Sequence, residues 1–230
     1  MLFVIVGAKG KLGRRLVTSL EGRGFSILSC GRGEVDKLLN SRDWIPVNEA
    51  VTIINCAAMT NTRACEENRF GAFHDNVRIS HNLAAFSAAM NFHFIYISTE
   101  AIFANNLPES LPDETTSPCP LTWYGATKRL GEIESIRHGC QVIRLPVLVN
   151  ESDDSTVFGR LLIEMQKGNQ IHASKLCHST PITYAEASEG ILGVLLEGAN
   201  EPNKITHITG KKYLSVFQLM TRLAERAGLE

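Results

Sequence analysis

Short apolar runs alternate with stretches of helical periodicity along most of this chain. Leu2 to Val6 is a continuous apolar run, as a strand buried on both faces requires. Lys11 to Leu20 follows as a helix, then a second strand at Phe25 to Cys30 and a third at Val51 to Cys56. Ile79, Leu83, Phe86 and Met90 recur at helical spacing before a fourth strand at Phe92 to Ile97. Pro108, Pro112, Pro118 and Pro120 then mark a long loop. A helix is expected from Trp123 to Arg137 and a strand from Gln141 to Leu145, stopped by Pro146. The strand–helix alternation predicts an α/β, Rossmann-type doubly wound parallel sheet with helices on both faces.

The texture changes after Pro146. Asn150 to Thr156 reads as a polar turn, Phe158 to Lys167 as a helix, and residues 171–185 as mixed with short strand potential. Glu186 to Leu196 is helical and Ile205 to Thr209 strand-like. Ser215 opens the last helix, with Gln218 as its capping-box partner and Val216, Leu219, Met220 and Leu223 as its buried face. This divides the chain into residues 1–149, a nucleotide-binding domain, and 150–230, a small lobe packed directly on it.

The 230 residues suffice for one sizeable core plus an appended lobe. A net charge of −1 gives no electrostatic footprint for nucleic acid or an anionic membrane. No apolar run approaches the ~20 residues of a spanning helix. The apolar start is too short for a signal-peptide core, so a cytoplasmic protein is expected. Six scattered cysteines without a C-x-x-C pair argue against zinc and against a disulfide framework. His74 and His81 lie two turns apart without a third ligand nearby, and no metal site is expected.

Two motifs carry chemistry. Gly7, Gly10 and Gly13 lie between the first strand and the first helix, where small residues let backbone amides and a helix N-terminus meet a pyrophosphate. The second strand ends Ser29-Cys-Gly-Arg32 rather than in an acid, so Arg32, with Lys11 and Arg14, suits the 2′-phosphate of NADP; Glu34 leaves NAD open. Farther on, Tyr124 and Lys128 stand i and i+4 on one helix. An ammonium beside a phenol would lower its pKa and fit it for proton transfer in step with a hydride. Thr99 or Ser98, at the end of the fourth strand, could bond the substrate oxygen beside Tyr124. Glu100 could orient substrate or help relay a proton.

These residues, with Asn55 to Ala58, Asn76, and the Thr180-Pro-Ile-Thr-Tyr-Ala-Glu186 and His207-Ile-Thr-Gly210 segments, resemble an extended short-chain dehydrogenase/reductase. The finer similarity is to the dTDP-4-dehydrorhamnose reductases. That resemblance implies an NADPH-dependent reduction of a nucleotide-linked 4-keto-6-deoxy sugar. It makes Thr99 and Tyr124 catalytic with Lys128 as partner, Lys128 also holding the cofactor ribose. Gly7, Gly10, Lys11, Leu12 and Gly13 would bind pyrophosphate. Cys56, Ala57 and Ala58 would line the cofactor, and the backbone from Leu145 to Val147 would face the nicotinamide carboxamide. Asn76 would be structural or part of a water relay. Glu100 stands where the family carries Asp. Ala101 stands where the sugar-nucleotide dehydratases carry a second acid. Pro146-Val147-Leu148 replaces a hydroxyl and an aromatic residue, and the substrate lobe is expected to be shortened. Arg160, Lys167, His172, Lys175 and His178 in that lobe could meet a substrate pyrophosphate. Two other readings stay open: a non-catalytic NADP-binding regulatory protein, and a nucleotide-sugar epimerase that retains its NAD. A homodimer through the helices near 79–90 and 124–137 is a further expectation.

Overall fold

A computed structural model describes residues 1–46, 48–103, 111–149, 157–196 and 201–229. The strands are β1 (Leu2–Val6), β2 (Ser26–Cys30), β3 (Val51–Asn55), β4 (His93–Thr99), β5 (Gln141–Leu145), β6 (Leu148–Val149), β7 (His178–Ser179), β8 (Ile182–Thr183), β9 (Ile205–His207) and β10 (Leu214–Ser215). The helices are α1 (Lys11–Glu21), α2 (Val35–Asn40), α3 (Thr62–Glu67), α4 (Arg69–Phe73), α5 (Ile79–Ala89), α6 (Trp123–Arg137), α7 (Val157–Gln166), α8 (Tyr184–Leu196) and α9 (Val216–Arg226). The expected turn at Asn150 to Thr156, and Pro108, lie outside the described residues.

Six strands form one parallel sheet in the order β2-β1-β3-β4-β5-β9. The chain leaves β1 toward β2 and returns on its other side to β3. The carboxyl ends of β1 and β3 therefore flank the crevice where open α/β sheets place ligands. The apolar runs of β1 and β3 are buried because helices cover both faces. On one face Val4, Ile53, Phe94 and Tyr96 meet Leu83 and Phe86 of α5. On the other, Phe3, Ile5, Ile95 and Ile143 meet Leu16 of α1 and Ile191 of α8. The glycine-opened helix and the expected Ser215–Gln218 capping box form as read from the sequence.

Residues beyond 150 do not all stand apart from the sheet. β9 is its edge strand, and α8 packs on α1, tied by Arg23 to Glu189 at 2.7 Å and by Ser188 to Ser19 at 3.1 Å. A separate small core joins α7 to α9 through Phe158, Leu162, Leu219, Met220 and Leu223. The stretch 62–78, unassigned by periodicity, is three short turns of helix. Asn61 and Asn68 cap two of them by accepting from Ala64 N and Gly71 N, and residues His74–Arg78 form a π-helical turn.

Candidate active site

The glycine loop is built by close approach. Gly7 has φ +81°, and a Cβ there would lie 2.7 Å from Ala57 N. The loop thus sits directly on the turn after β3, where Ala57 N donates to Asn55 Oδ1 at 3.0 Å. Gly10 caps α1 without a side-chain bond, and no acid occupies the first turn of that helix. Lys11, Arg14 and Arg15 enter there instead. An uncapped helix N-terminus among cations fits a pyrophosphate. Gly7→Ala is expected to cost about 1–3 kcal/mol through the unfavourable φ and the clash. Thermal denaturation with and without NADPH checks this; wild-type melting and an unchanged NADPH shift would contradict it.

Arg32 follows β2, and its guanidinium is paired with the Asp75 carboxylate of the π turn. Glu34 folds back so that its carboxylate accepts from Gly31 N, 3.9 Å from the Lys9 ammonium. Arg32 remains half exposed at the rim. A phosphate there would exchange one anionic partner for another, which Arg geometry allows.

Tyr124 is placed by contact between α6 and the turn after β4. Thr122 caps α6 by accepting from Gly125 N at 3.1 Å, and the absence of a side chain at Gly125 lets the helix rest against the Ala101 carbonyl. The Tyr124 phenol is thereby brought near the Thr99 hydroxyl, which accepts from Ala101 N at 3.2 Å. Ser98, the alternative hydroxyl, is buried without a hydrogen-bond partner among the described residues. Thr99 is therefore the hydroxyl brought to Tyr124.

Lys128 does not act on Tyr124 as the sequence suggested. Its ammonium donates to the Ile97 carbonyl at 2.7 Å and lies 4.1 Å from the centre of the Tyr96 ring. Burial lowers the Lys128 pKa to about 7. Burial likewise pushes the Tyr124 phenol up to about 12, opposed by the nearby Thr99 hydroxyl. The expected lowering by Lys128 is thus reversed, because desolvation dominates and the ammonium is engaged elsewhere. Asn76 is structural in this arrangement. Its amide bonds both backbone groups of Met59, at 2.8 and 3.1 Å, and the Thr127 hydroxyl at 3.0 Å, fastening the loop after β3 to α6. Cys56 and Ala57 lie in that loop, with the Cys56 thiol raised to about 12 by burial.

Glu100 joins the sheet to the second lobe. Its carboxylate accepts from Val147 N at 3.1 Å, and the same N–H also reaches Ser179 Oγ at 3.3 Å. The backbone after Leu145 is therefore already bonded to this side chain. Glu100 also lines a cavity, about 650 Å³ including its open mouth, at the ends of β4, β5 and β9. Leu145, Arg144, Ser179, His207 and a stacked His178–Tyr213 pair form its other walls. Arg144 is held beneath it by a two-pronged pair with buried Glu132, at 2.9 and 3.0 Å, and donates to His207 Nε2 at 3.2 Å. Sequence reasoning missed Glu132, Ser179 and His207. Glu132 stands among the polar residues of a helix, and its burial follows only from α6 lying over β5.

Fold and site together define a Rossmann-type α/β protein with Thr99 and Tyr124 at the sheet's ligand edge. More particularly, the chain belongs to the RmlD substrate binding domain family, whose profile matches residues 1–230. It is 26% identical over 242 residues to methionine adenosyltransferase 2 subunit beta of Danio rerio, covering 98% of this chain and 74% of that protein. It is 24% identical to the spore coat polysaccharide biosynthesis protein SpsK of Bacillus subtilis, covering 99% of this chain and 80% of that one. Among solved structures, a dTDP-4-dehydrorhamnose reductase from Clostridium acetobutylicum superposes with TM-score 0.85 at 24% identity, covering 100% of this chain and 81% of that one. The dTDP-4-dehydrorhamnose reductase of Bacillus anthracis, solved with NADP, gives 0.81 at 23%, with 100% and 81% covered.

Proposed function

We propose that this chain is an NADPH-dependent reductase of a nucleotide-linked 4-keto-6-deoxy sugar. The observation that carries the reading is the juxtaposition of the Tyr124 phenol with the Thr99 hydroxyl at the end of β4, together with a cationic, uncapped helix start suited to a dinucleotide. The dTDP-4-dehydrorhamnose reductases of the same fold, one of them solved with NADP, support it.

When bound, the cofactor supplies a hydride. Gly7, Gly10, Lys11, Leu12 and Gly13 would hold its pyrophosphate, Arg32 its 2′-phosphate, and Cys56, Ala57 and Ala58 one side of it. Lys128 would hold its ribose, and Leu145 would lie by the nicotinamide. Tyr124 then gives its Oη proton to the substrate carbonyl oxygen, with Thr99 fixing the phenol. A phenol pushed up to about 12 stays protonated at neutral pH, which is the form a proton donor needs. Residues 1–149 would hold the cofactor and the lobe within 150–230 the sugar nucleotide. A cytoplasmic location and a homodimer through α5 and α6, where Leu130 is exposed, belong to the same proposal. No helix among the described residues is long and apolar enough to cross a membrane.

The reading is tested by NADPH oxidation with dTDP-4-dehydrorhamnose. Turnover supports it; bound NADPH without turnover favours a regulatory cofactor-binding protein. The similarity to methionine adenosyltransferase 2 subunit beta is the observation behind that second reading. An epimerase would instead retain NAD and show no net cofactor turnover. Arg32→Ala is expected to weaken NADPH at least tenfold more than NADH, as about 1.4 kcal/mol from one lost charged hydrogen bond gives. Equal losses in a fluorescence titration would remove the 2′-phosphate assignment.

A further inference from the structure

The end of β2 runs Ser29-Cys30-Gly31-Arg32 and lacks the acid that holds a ribose 2′-hydroxyl in NAD sites. The fold brings an acid to that place from 43 residues on. Asp75, in the π-helical turn His74–Arg78, takes Arg32 Nη1 on its Oδ2. Its other oxygen lies 3.1 Å from His74 Nδ1. The Asp75 side chain is 13% exposed, against 48% for Arg32. Next to it in the chain, the Asn76 amide bonds both backbone groups of Met59, so the turn that carries Asp75 is fastened in place. Glu34, the nearer acid in sequence, is turned onto Gly31 N. The carboxylate at the Arg32 guanidinium is therefore that of Asp75.

From this arrangement we infer that Asp75 is a selectivity-determining residue, which narrows the preference for NADPH over NADH by competing with the 2′-phosphate for Arg32. The inference rests on the reading of Arg32 as the residue that meets that phosphate. A phosphate monoester brings a charge of about −1.5 to −2 at neutral pH. Two anions then call on one guanidinium. If Arg32 turns to the phosphate, a largely buried carboxylate loses an ionic partner, which is costly. If Arg32 stays, the phosphate lies against a like charge. On either course NADPH binds more weakly than Arg32 alone would allow. NADH meets neither cost, because its 2′-hydroxyl is neutral and can donate to a carboxylate. Arg32 thus favours NADPH and Asp75 opposes it. His74 still faces Asp75 when Arg32 turns away, which keeps the cost moderate.

The test is cofactor binding, read by fluorescence titration with NADPH and with NADH. It compares wild type, Asp75→Asn, Asp75→Glu, Arg32→Ala and the double variant Arg32→Ala/Asp75→Asn, each first checked for folding by its melting curve. Asp75→Asn should bind NADPH about three- to fivefold more tightly, the scale of a partly exposed ion pair, with NADH unchanged or weaker. Asp75→Glu keeps the charge and should keep the wild-type ratio of the two affinities. In the Arg32→Ala background the gain should vanish, since nothing is left to compete for. Asp75→Ser takes the place of Asp75→Asn if the amide variant does not fold. NADPH affinity unchanged or lowered in the folded Asn or Ser variant, or a gain that survives without Arg32, overturns the inference. Wild type that binds neither cofactor overturns the cofactor reading and the inference with it. Because binding is read rather than turnover, failure of the reductase reading does not mimic failure of the inference.

Discussion

Tyr124→Phe is expected to lower kcat by about 10²–10⁴-fold, the range of a lost general acid, while NADPH binds within twofold of wild type. The phenol stands beside Thr99, and its removal leaves the glycine loop untouched. The aromatic ring is kept, so packing against the turn after β4 should survive. Single-turnover reduction of a 4-keto sugar nucleotide, beside a fluorescence titration with NADPH, separates the two effects. Loss of both together would mean that Tyr124 holds the fold or the cofactor rather than the proton.

Glu132→Gln is expected to be the most destabilising single change considered, by about 3–5 kcal/mol, since it strands a buried guanidinium. Glu132 is fully buried and Arg144 is 3% exposed. The carboxylate takes two bonds from Arg144 and a third from Arg129 at 2.8 Å. An amide can accept but cannot neutralise, so Arg144 would draw in water or swing toward the cavity it underlies. For a chain of this size the melting temperature should drop by roughly 6–20 °C. Calorimetry checks it. A drop under 2 °C would show that the pair is hydrated and contributes little.

The sheet and the cofactor edge were legible because they rest on local signals. The continuous apolar run at Leu2–Val6, the glycines between β1 and α1, and the Ser215–Gln218 capping box each fix an element within a few residues. The helices at 62–73 were not read, since they are only five and six residues long. Asn61 and Asn68 three residues before Ala64 and Gly71 were the available signal. The union of β9 with β5 was invisible for another reason: a three-residue strand pairs at long range, and nothing local specifies its neighbour.

The site divides in the same way. Tyr124 and Lys128 were found by spacing and Thr99 by its place at the end of a strand, but what each side chain does depends on burial. Spacing put an ammonium beside a phenol. The structure sends Lys128 to the Ile97 carbonyl and sets the Thr99 hydroxyl near the phenol. Glu100 carried no sign in sequence that it would share the Val147 N–H with Ser179, some eighty residues on.

The most direct test of the central claim is isotope transfer. Wild-type protein is incubated with dTDP-4-dehydrorhamnose and NADPH deuterated at both hydrogens of nicotinamide C4, and the sugar is analysed by mass spectrometry. The account predicts one deuterium on the sugar's C4 carbon and equimolar NADP⁺. Tightly bound NADPH with no deuterium in the sugar would contradict it.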